Sequence, residues 1–562
     1  MSDNIEFTNL TEAEFTQDNP EGLPPQRPQS VGASGSKFPA APRTEDTPLR
    51  ERQAARTEGL QTIVIGLCIF GGGVTVALIF QLAAGQPQLV PHGTASTCDQ
   101  RCSDVAVTMM QKGGSAVDAA VAAALCAAVV HPQLSGLGGG GLMFIRDHKS
   151  QKNTLLDFLE VAPADTEDDI EATDLQRLIG VPGTLLGLWT AHQKFGKLYW
   201  KELFEPAIIL ARDGFVVNAG LEKAYKSGQM NPETDHQFDR LFHKLETGQP
   251  FQLTDLADAL ELIATKGPSE FYNGSLSQSI VDATGAAISL NDLSAYTVQE
   301  REALTAKVNG YVVSGFPSPS SGPLVLRAVD SMSRLKNYND LRDADVVGQI
   351  LSNVYNCRAA LGDPSKDSQV ERNDQIIIDA NVTAPVACDE HKAKPDDRST
   401  ASHLSIVDQN ELIVSLSLSL GSEFGSRTLT KNQILLNDRL RYFDKDSKFN
   451  ARAPGKRPAT SLSPTVVYHA NRPCYKRFSI GGIPDTKGVD AVSEVVASLI
   501  LTPEMDFDKT VLEKRIYCTD SVETCVVDGN EGRKSVVAVA MKSRNQVFGG
   551  TDKLSEWRHT SF

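Results

Sequence analysis

The sequence lacks the features of a nucleic-acid-binding or fibrous protein. Its 55 lysines and arginines are outnumbered by 70 aspartates and glutamates, which gives a formal net charge of −15. Phosphate binding needs a basic surface that releases counterions, and no basic stripe is present, so we expect no nucleic-acid partner. The absence of a short repeat argues against a collagen or coiled coil. The hydrophobic content of 41% argues against disorder throughout and allows a sizeable core.

The usual motifs of metal and nucleotide sites are also missing. Cys98 and Cys102 have no second cysteine pair or neighbouring histidines, so a zinc site is not expected. The glycine run GLGGGG at 136–141 lacks both the Lys-Ser/Thr of a phosphate loop and the preceding strand of a dinucleotide site. We interpret this run as a place where the backbone approaches a neighbouring element closely. The sequence therefore predicts neither a metal nor a cofactor.

One segment is almost free of polar side chains. No charged residue occurs between Gln61 and Cys98, and Thr62 to Phe80 is nearly all apolar. A helix of roughly 20 such residues crosses the hydrocarbon core of a bilayer, so we predict a transmembrane helix over residues 61–82. The length of the run disfavours a buried core helix. Its distance from Met1 disfavours a cleavable signal peptide.

The charges that flank this helix predict its orientation. Lysine and arginine collect on the cytosolic side. The N-terminal flank of the helix carries four arginines, and none follows the helix before Arg101; the four are Arg43, Arg50, Arg52 and Arg56. We therefore expect a single-pass type II protein of the plasma membrane or an endomembrane. Residues 1–59 are predicted to be a disordered cytosolic tail, residues 83–98 a stalk, and residues 99–562 the folded part outside the cytosol.

Cysteines and glycosylation sequons fit an oxidising, lumenal environment. Eight of the nine cysteines lie outside the apolar run, so disulfides are expected, although Cys126, within an alanine-rich helix, is predicted to be a free buried thiol. Asn273-Gly-Ser and Asn381-Val-Thr are predicted glycosylation sites. Asn9-Leu-Thr would lie in the cytosol and stay unmodified.

The folded part alternates helices with strands. The segment Ser103–Val130 predicts a buried helix that is interrupted at Gly113-Gly114, and LMFIRD (142–147) predicts a strand. Two further strands are expected at 403–407 and 411–420, joined by a turn at 408–410. Their alternation in VSLSLSL places leucine on one face and serine on the other. The fold class is therefore α/β.

Several stretches of the sequence resemble the γ-glutamyltransferase (glutathione hydrolase) family, in particular its type II membrane members of the transferase-seven-like branch. The stretches, in family order, are GGSAVDAAVAAALCAAVVHPQLSGLGGGG (113–141), DFLEVAP (157–163), GVPGTLLGLWTAHQKFGKLYWKELFEPAIILARDGF (180–215), FYNGSLSQSIVD (271–282), FPSPSSGP (316–323), STASHLSIVD (399–408), FGS (424–426) and PGKRPATSLSPTVV (454–467). The resemblance implies an N-terminal-nucleophile hydrolase fold, a four-layer αββα sandwich. It also implies a large-subunit region at 99–398 and a small-subunit region at 399–562, which active members separate by self-cleavage.

The residue that should carry the reaction departs from the family pattern. In the family, a threonine two positions before His-Leu-Ser is the nucleophile, and its freed amine serves as the base. Counting back from His403, this position is Ala401, which has no hydroxyl. Thr400 and Ser402 are each one residue away, and a one-residue shift on a strand turns a side chain to the other face.

The substrate-binding positions implied by the resemblance are altered as well. Leu159 stands where the family has the arginine that pairs with the glutamyl α-carboxylate. Arg439 and Tyr442 stand where acidic residues hold the α-ammonium. Milder changes lie on the serine-lined strand and after the Pro-Gly-Lys stretch, at Ser419, Gly421, Thr460 and Ser461.

The oxyanion region differs too. The family uses backbone N–H groups of a Gly-Gly-Thr stretch, and the corresponding run here begins with Gly481 and Gly482 and continues to Pro484 and Asp485. Proline has no N–H to donate, and a carboxylate repels a developing oxyanion.

Two hypotheses follow from these differences. In the first, the protein is a membrane-anchored family member that has lost catalysis, stays uncut and acts by binding, with a glutathione-like small molecule as a candidate ligand and an unidentified protein partner. In the second, it is an active γ-glutamyl hydrolase or transferase that uses Thr400 or Ser402 as a displaced nucleophile.

Overall fold

The computed structural model describes thirteen stretches of the chain. They are residues 49–84, 92–167, 174–227, 236–335, 338–379, 399–482, 486–502, 507–512, 515–518, 525–527, 537–543, 546–551 and 558–561. By its internal contacts the chain divides into two compact units, Met1–Gln88 and Leu89–Phe562.

The described part of the first unit, residues 49–84, is one long helix, α1 (Leu49–Ala84). Its central part, Gly59–Ile79, has 21 residues with a mean hydropathy of 2.3, which makes it long and apolar enough to cross a membrane. The helix begins ten residues before the predicted boundary of the tail, so the expectation of disorder is wrong for residues 49–59. The physical reason lies in the sequence LRERQAAR, whose residues nearly all favour a helix.

The second unit contains fifteen further α-helices in its described part. They are α2 (Gln100–Gln111), α3 (Ala116–Val130), α4 (Thr184–Phe195), α5 (Trp200–Asp213), α6 (Ala219–Ser227), α7 (His236–Phe242), α8 (Thr254–Lys266), α9 (Ser269–Tyr272), α10 (Ser275–Ala283), α11 (Leu290–Ala295), α12 (Gly322–Ser333), α13 (Ala344–Tyr355), α14 (Ser368–Ile378), α15 (Thr486–Leu501) and α16 (Phe507–Leu512).

Among the described residues of the second unit, the strands form two large sheets and two small ones. They are β1 (Thr94–Thr97), β2 (Gly140–Asp147), β3 (Lys152–Phe158), β4 (Phe215–Val216), β5 (Pro250–Phe251), β6 (Gln299–Arg301), β7 (Leu304–Val308), β8 (Tyr311–Gly315), β9 (Thr400–Val407), β10 (Leu412–Gly421), β11 (Thr465–His469), β12 (Arg477–Gly482), β13 (Ile516–Cys518), β14 (Cys525–Val527), β15 (Val537–Ser543), β16 (Gln546–Thr551) and β17 (Arg558–Ser561).

The two large sheets face each other and are covered by helices on their outer sides. The first has seven strands in the order β17-β1-β9-β10-β2-β3-β6, and the second has six in the order β16-β15-β12-β11-β8-β7. One apolar core lies between the first sheet and α2 to α5, a second between the other sheet and α12 to α15, and a third between the sheets. This is the predicted four-layer αββα sandwich.

Serine side chains join the two sheets across their interface. Ser405 on β9 donates a hydrogen bond to the Ala538 carbonyl of the second sheet at 3.0 Å, and Ser415 on β10 donates to the Ile480 carbonyl at 3.1 Å. The leucines that alternate with these serines pack against the helices instead. The predicted division of β10 into a serine face and a leucine face is confirmed.

Three predictions about the start of the folded part can be compared with the structure. The helix break at Gly113-Gly114 is confirmed, because α2 ends at Gln111 and α3 begins at Ala116. The stalk prediction for 83–98 is wrong at its end, since β1 is completely buried between β9 and β17. Cys126 is not a free thiol but forms a disulfide with Cys102, because the antiparallel packing of α2 on α3 brings their Cα atoms to 5.5 Å.

Candidate active site

Position 401 lies at the start of β9 and faces the space between the sheets. Along this strand Ala401, His403 and Ser405 point to the same side, as the period of two requires. Ala401 is completely buried. Its methyl group belongs to the apolar cluster between the sheets, together with Leu142, Phe144, Leu155, Leu159, Phe316, Val407, Ile413, Leu462, Val466 and Ala540. No hydroxyl therefore reaches this space from position 401.

The two neighbouring hydroxyls point away from that cluster. Thr400 Oγ1 donates to the Gln133 carbonyl at 3.4 Å. Ser402 Oγ accepts a hydrogen bond from Ser135 Oγ at 3.3 Å and also contacts the buried thiol of Cys98. All of these partners belong to the helical side of the sheet, so both side chains occupy the face opposite to Ala401.

A β-bulge opposite Ala401 shapes the start of β9. The register between β10 and β9 shifts between Leu418 and Gly421, so that two residues of β10 stand opposite one of β9. Ser419 Oγ donates to the Thr400 carbonyl at 2.5 Å. Gly421 has φ of +100°, and a Cβ there would lie 2.1 Å from Asp438 Oδ1. The extra residue therefore lies on β10, and β9 keeps the side-chain order that places Thr400 on the helical face.

Leu159 lies immediately after β3 in the same apolar cluster as Ala401. Its backbone N–H donates to Asp157 Oδ1 at 3.1 Å, and its carbonyl accepts from the Tyr296 hydroxyl at 2.8 Å. The side chain is 1% exposed. The structure thus places in one apolar cluster Ala401 and Leu159, to which the resemblance assigns the nucleophile and the carboxylate-binding arginine.

Arg439 and Tyr442 lie in a short 3-10 helix, Arg439–Tyr442. The side-chain amide of Asn437 fixes the start of this short helix. Its Oδ1 accepts from the Arg439 N–H at 3.1 Å, and its Nδ2 donates to the Gly138 carbonyl at 2.8 Å. The guanidinium carbon of Arg439 lies 4.5 Å from the ring centroid of Tyr442, a cation–π contact.

Glu160 is the acidic side chain beside Arg439. Arg439 Nε and Glu160 Oε2 are 3.6 Å apart, and both side chains are 1% exposed. Burial raises the pKa of Glu160 to about 7, although the positive charge of Arg439 acts in the opposite direction. This pair was not predicted, because the two residues come from distant parts of the sequence.

Thr460 and Ser461 are buried next to Leu462 of the same cluster. Thr460 Oγ1 accepts from the Leu462 N–H at 3.2 Å, and Ser461 Oγ accepts from Arg358 Nη1 at 2.7 Å. Arg358 is a further cation near the site that the sequence analysis missed, since no motif marks it.

The oxyanion region is described only in part. Gly481 and Gly482 end strand β12 and pair with Ala538 and Val537 of β15. A Cβ at Gly481 would lie 2.4 Å from the His403 ring, so only glycine fits there. Pro484 and Asp485, on which the predicted loss of the oxyanion hole rests, lie outside the described residues.

His403 occupies the centre of the sheet interface as a neutral histidine. Its Nδ1 is 2.8 Å from Ser417 Oγ and its Nε2 is 3.0 Å from Ser405 Oγ. Complete burial lowers its pKa to about 3. The ring is thus a hydrogen-bonded core residue and lies on the same face as Ala401.

Of the predicted glycosylation sites, one falls in the described part of the chain. Asn273 follows α9 and is exposed. Asn381 lies outside the described residues.

Comparisons with known proteins agree with this architecture. A cephalosporin acylase from Bacillus halodurans superposes with a TM-score of 0.73 at 18% identity, over 84% of this chain and 96% of that chain. At this identity the likeness concerns the fold alone, and it places the chain among proteins with the N-terminal-nucleophile hydrolase fold.

Sequence comparison identifies the family. The family model described as gamma-glutamyltranspeptidase matches residues 102–557. Human glutathione hydrolase 7 is 30% identical over 506 residues, which cover 83% of this chain and 75% of the relative. The glutathione hydrolase proenzyme of Escherichia coli K12 is also 30% identical, over 83% of this chain and 90% of the relative. The chain belongs to the gamma-glutamyltranspeptidase family, and the transferase-seven-like branch fits.

Proposed function

We propose that this family member is anchored in a membrane, stays one uncut chain and acts by binding, without catalysing γ-glutamyl transfer. The observation that carries the proposal is the methyl group of Ala401 within the apolar cluster between the sheets. Nucleophilic catalysis needs a hydroxyl or thiol at the attacking position, together with a base that accepts its proton. Ala401 supplies neither the attacking oxygen nor a route to self-cleavage.

The orientation of the neighbouring side chains supports this proposal over a displaced nucleophile. Thr400 and Ser402 hydrogen-bond to groups on the helical side of the first sheet. Using either hydroxyl at the position of Ala401 would require β9 to shift by one residue, which would also move Leu404 and Ile406 out of the helix-packed core.

The charges around the site support the loss of the family's reaction as well. A substrate ammonium placed 4 Å from the Arg439 guanidinium would meet a repulsion of about 1–4 kcal/mol, depending on the effective dielectric constant. Leu159 offers no charge to the α-carboxylate. A γ-glutamyl group in the family's orientation would therefore lose attraction at one end and meet repulsion at the other.

The candidate ligand is a glutathione-like small molecule, and this proposal rests on the relatives. Both the human and the bacterial relative are named as glutathione hydrolases. The anchor would be the Gly59–Ile79 segment of α1. The four arginines before this segment support a type II orientation, in which the family-like unit lies outside the cytosol.

A turnover assay with restored nucleophile tests the proposal. We expect that neither the wild type nor Ala401→Thr releases the amine from a chromogenic γ-glutamyl amide, because the charged groups of the site remain altered. The Escherichia coli relative serves as the positive control for the assay. Appreciable turnover by Ala401→Thr would contradict the argument from Leu159 and Arg439, because it would show that the site still binds a γ-glutamyl group. Wild-type turnover that Thr400→Ala or Ser402→Ala abolishes would establish the displaced nucleophile.

A further inference from the structure

Five β-hairpins in the described part of the chain have their connections at one edge of the sandwich. The connections join β2 to β3 (148–151), β7 to β8 (309–310), β9 to β10 (408–411), β11 to β12 (470–476) and β15 to β16 (544–545). In the first sheet, Leu412 at the start of β10 lies opposite Asp147 at the end of β2. In the second, Arg477 at the start of β12 lies opposite Lys542 near the end of β15. Ala401 is at the other end, where β9 starts. This surface is named the turn edge.

The turn edge is basic although the chain as a whole is acidic. Its described residues, counted to two positions on either side of each connection, include eight lysines and arginines but three aspartates and glutamates. The cations are Arg146, Lys149, Lys152, Lys307, Arg472, Lys476, Arg477 and Lys542, and the acids are Asp147, Asp408 and Glu411. Eight positive and three negative groups give this edge a formal charge of +5, against −15 for the whole chain. The cations come from four separate hairpins, so the basic surface arises only when the hairpins pair.

Direct contacts join the two sheets at the turn edge. His148 Nε2 donates to the Pro473 carbonyl at 2.8 Å, so the β2–β3 and β11–β12 connections touch each other. Arg477 Nη2 donates to Glu411 Oε1 at 2.5 Å, and Lys542 Nζ lies 3.7 Å from the same oxygen. The ends of both sheets therefore form one continuous surface, in which a single carboxylate contacts two cations.

A buried arginine adds positive charge beneath this surface. Arg146 is 1% exposed, and its guanidinium carbon lies 3.4 Å from the ring centroid of Tyr468. Its Nη1 donates to the side-chain oxygen of Asn153 at 2.8 Å, and its Nη2 donates to that of Gln151 at 2.5 Å. These acceptors carry no charge, so they hold the guanidinium without neutralising it. A buried charge is screened less than an exposed one and therefore raises the positive potential at the edge.

Exposed cations supply the groups that can contact a ligand. Lys149, Lys152 and Arg472 are exposed, and Lys476 is half-buried. The guanidinium carbon of Arg472 lies 5.8 Å from the ring centroid of Tyr475, a cation–π contact that favours one orientation of the side chain. The planar fork of arginine matches two oxygens of one anionic group, whereas lysine binds such groups as a point charge.

We propose that the turn edge binds a linear sulfated polysaccharide outside the cytosol. Sulfate groups of the polymer accept hydrogen bonds from Arg472, Lys149 and Lys152, and the buried Arg146 strengthens the attraction from beneath. The inference goes beyond the proposed function, since it concerns the end of the sandwich opposite to Ala401. It takes from that proposal only the orientation of the chain.

Charge and compartment favour this partner over other anions. Because the chain as a whole is acidic, a polyanion can be held only where positive charge is concentrated locally. Clusters of lysine and arginine bind heparin-like polymers in this way. Anionic phospholipids collect in the cytoplasmic leaflet, on the other side of the membrane in the proposed orientation.

The first test measures binding of the wild-type full-length protein in detergent to immobilised heparin, by surface plasmon resonance. We expect binding at physiological salt that becomes weaker by about tenfold or more when the salt is raised severalfold, because salt screens exposed charges. Heparin from which the sulfate groups have been removed should also bind about tenfold more weakly or worse.

Each contrary result of this test has a definite meaning. Absence of heparin binding, or equal affinity for the desulfated polymer, would overturn the inference and leave the proposed function intact. Binding to vesicles that contain anionic phospholipid, without binding to heparin, would identify lipid head groups as the ligand and would also overturn it. All three comparisons use the wild type, so they do not depend on the folding of a variant.

The second test removes three exposed charges of the turn edge. The triple variant Lys149→Gln/Lys152→Gln/Arg472→Gln should bind heparin about tenfold more weakly or worse, because each exposed ion pair contributes modestly and three are lost together. Its thermal unfolding should match that of the wild type, since all three side chains are exposed. Wild-type affinity in a folded triple variant would contradict the assignment of the binding surface.

The matched control removes two lysines and one arginine that are exposed elsewhere. Arg240 belongs to α7 and Lys244 follows it, and Phe242 of this helix packs against Phe424, beyond the end of β10 that is remote from the turn edge. Lys431 is exposed further along the same segment. Arg240→Gln/Lys244→Gln/Lys431→Gln should keep the heparin affinity within about twofold of the wild type. Equal weakening in both triple variants would show that total charge governs binding, and would overturn the inference.

Discussion

A methyl group at position 401 and an imidazole at position 403 define the chemistry of β9 on the face between the sheets. Ala401 adds to the apolar cluster, and His403 is held between Ser417 and Ser405. Ala401, which the resemblance assigns to the nucleophile position, lies at the start of this strand. The alternation of side chains explains why hydroxyls one residue away are directed elsewhere.

The burial of His403 predicts a pH-dependent stability. Its pKa is about 3 in the folded protein and about 6.5 in an unfolded chain, so the unfolded state binds more protons between these values. The free energy of unfolding should therefore fall by about 1.4 kcal/mol per pH unit as the pH drops from 6.5 toward 3. Urea unfolding of the wild type and of His403→Gln at several pH values measures this contribution. Parallel pH profiles for the two proteins would contradict the assignment of a neutral buried histidine.

Contacts between residues that lie far apart in the sequence were the part of the site that could not be predicted. The predicted loss of charge at Leu159 and gain at Arg439 came from the alignment of motifs and remain predictions. The contact of Arg439 with Glu160, and that of Arg358 with Ser461, depends on how loops from both parts of the chain meet. No local pattern of hydrophobicity or propensity carries this information.

At the scale of elements, glycine-rich and serine-rich stretches were predicted best. The run at 136–141 was expected to allow a close backbone approach, and a Cβ at Gly139 would lie 2.2 Å from the Ser419 carbonyl oxygen. The turn between β9 and β10 was also expected, and Asp408 Oδ1 stabilises it by accepting from the Asn410 N–H at 2.7 Å. Both features follow from the residue types of a short segment, so they can be predicted from the sequence.

The disulfide between α2 and α3 was not predicted, because Cys126 was expected to be a free buried thiol of an alanine-rich helix. Cys102 and Cys126 are 24 residues apart in sequence, and both are completely buried. Only the packing of the two helices brings them together. A disulfide of this kind also fits an oxidising compartment, as the proposed orientation of the chain requires.

Removal of this disulfide should lower stability measurably. Closing a loop of this length in the unfolded chain is worth about 3 kcal/mol. We expect Cys102→Ala/Cys126→Ala to lose about 2–4 kcal/mol in the free energy of unfolding, measured by denaturant titration without reductant. The exposed free cysteine Cys474 provides the control, since Cys474→Ala should leave stability nearly unchanged. A double variant as stable as this control would argue against the bond.

At the scale of the whole molecule, an apolar helix and an αββα unit belong to the same chain. The helix was predicted from hydrophobicity alone, and the sandwich came from the resemblance of motifs to a family. The boundaries were less accurate, since β1 begins within the expected stalk. Strand β1 has only four residues, TAST, and no apolar alternation marks it.

A glycosylation experiment tests the proposed type II orientation. Asn273 is exposed after α9, and we expect it to carry an N-linked glycan if this unit lies outside the cytosol. Asn273→Gln should therefore increase the electrophoretic mobility of protein from mammalian membranes. Asn9→Gln removes the sequon on the other side of the helix and should have no effect. A mobility shift with Asn9→Gln alone would indicate the opposite orientation.

The state of the chain after biosynthesis tests the central proposal most directly. The full-length protein, purified from membranes, reduced and enzymatically deglycosylated, can be weighed by intact-mass spectrometry. We predict a single species near the 60.7 kDa of the whole chain, because Ala401 cannot start self-cleavage. Two fragments, the smaller with a new N-terminus at Thr400, Ala401 or Ser402, would contradict the account.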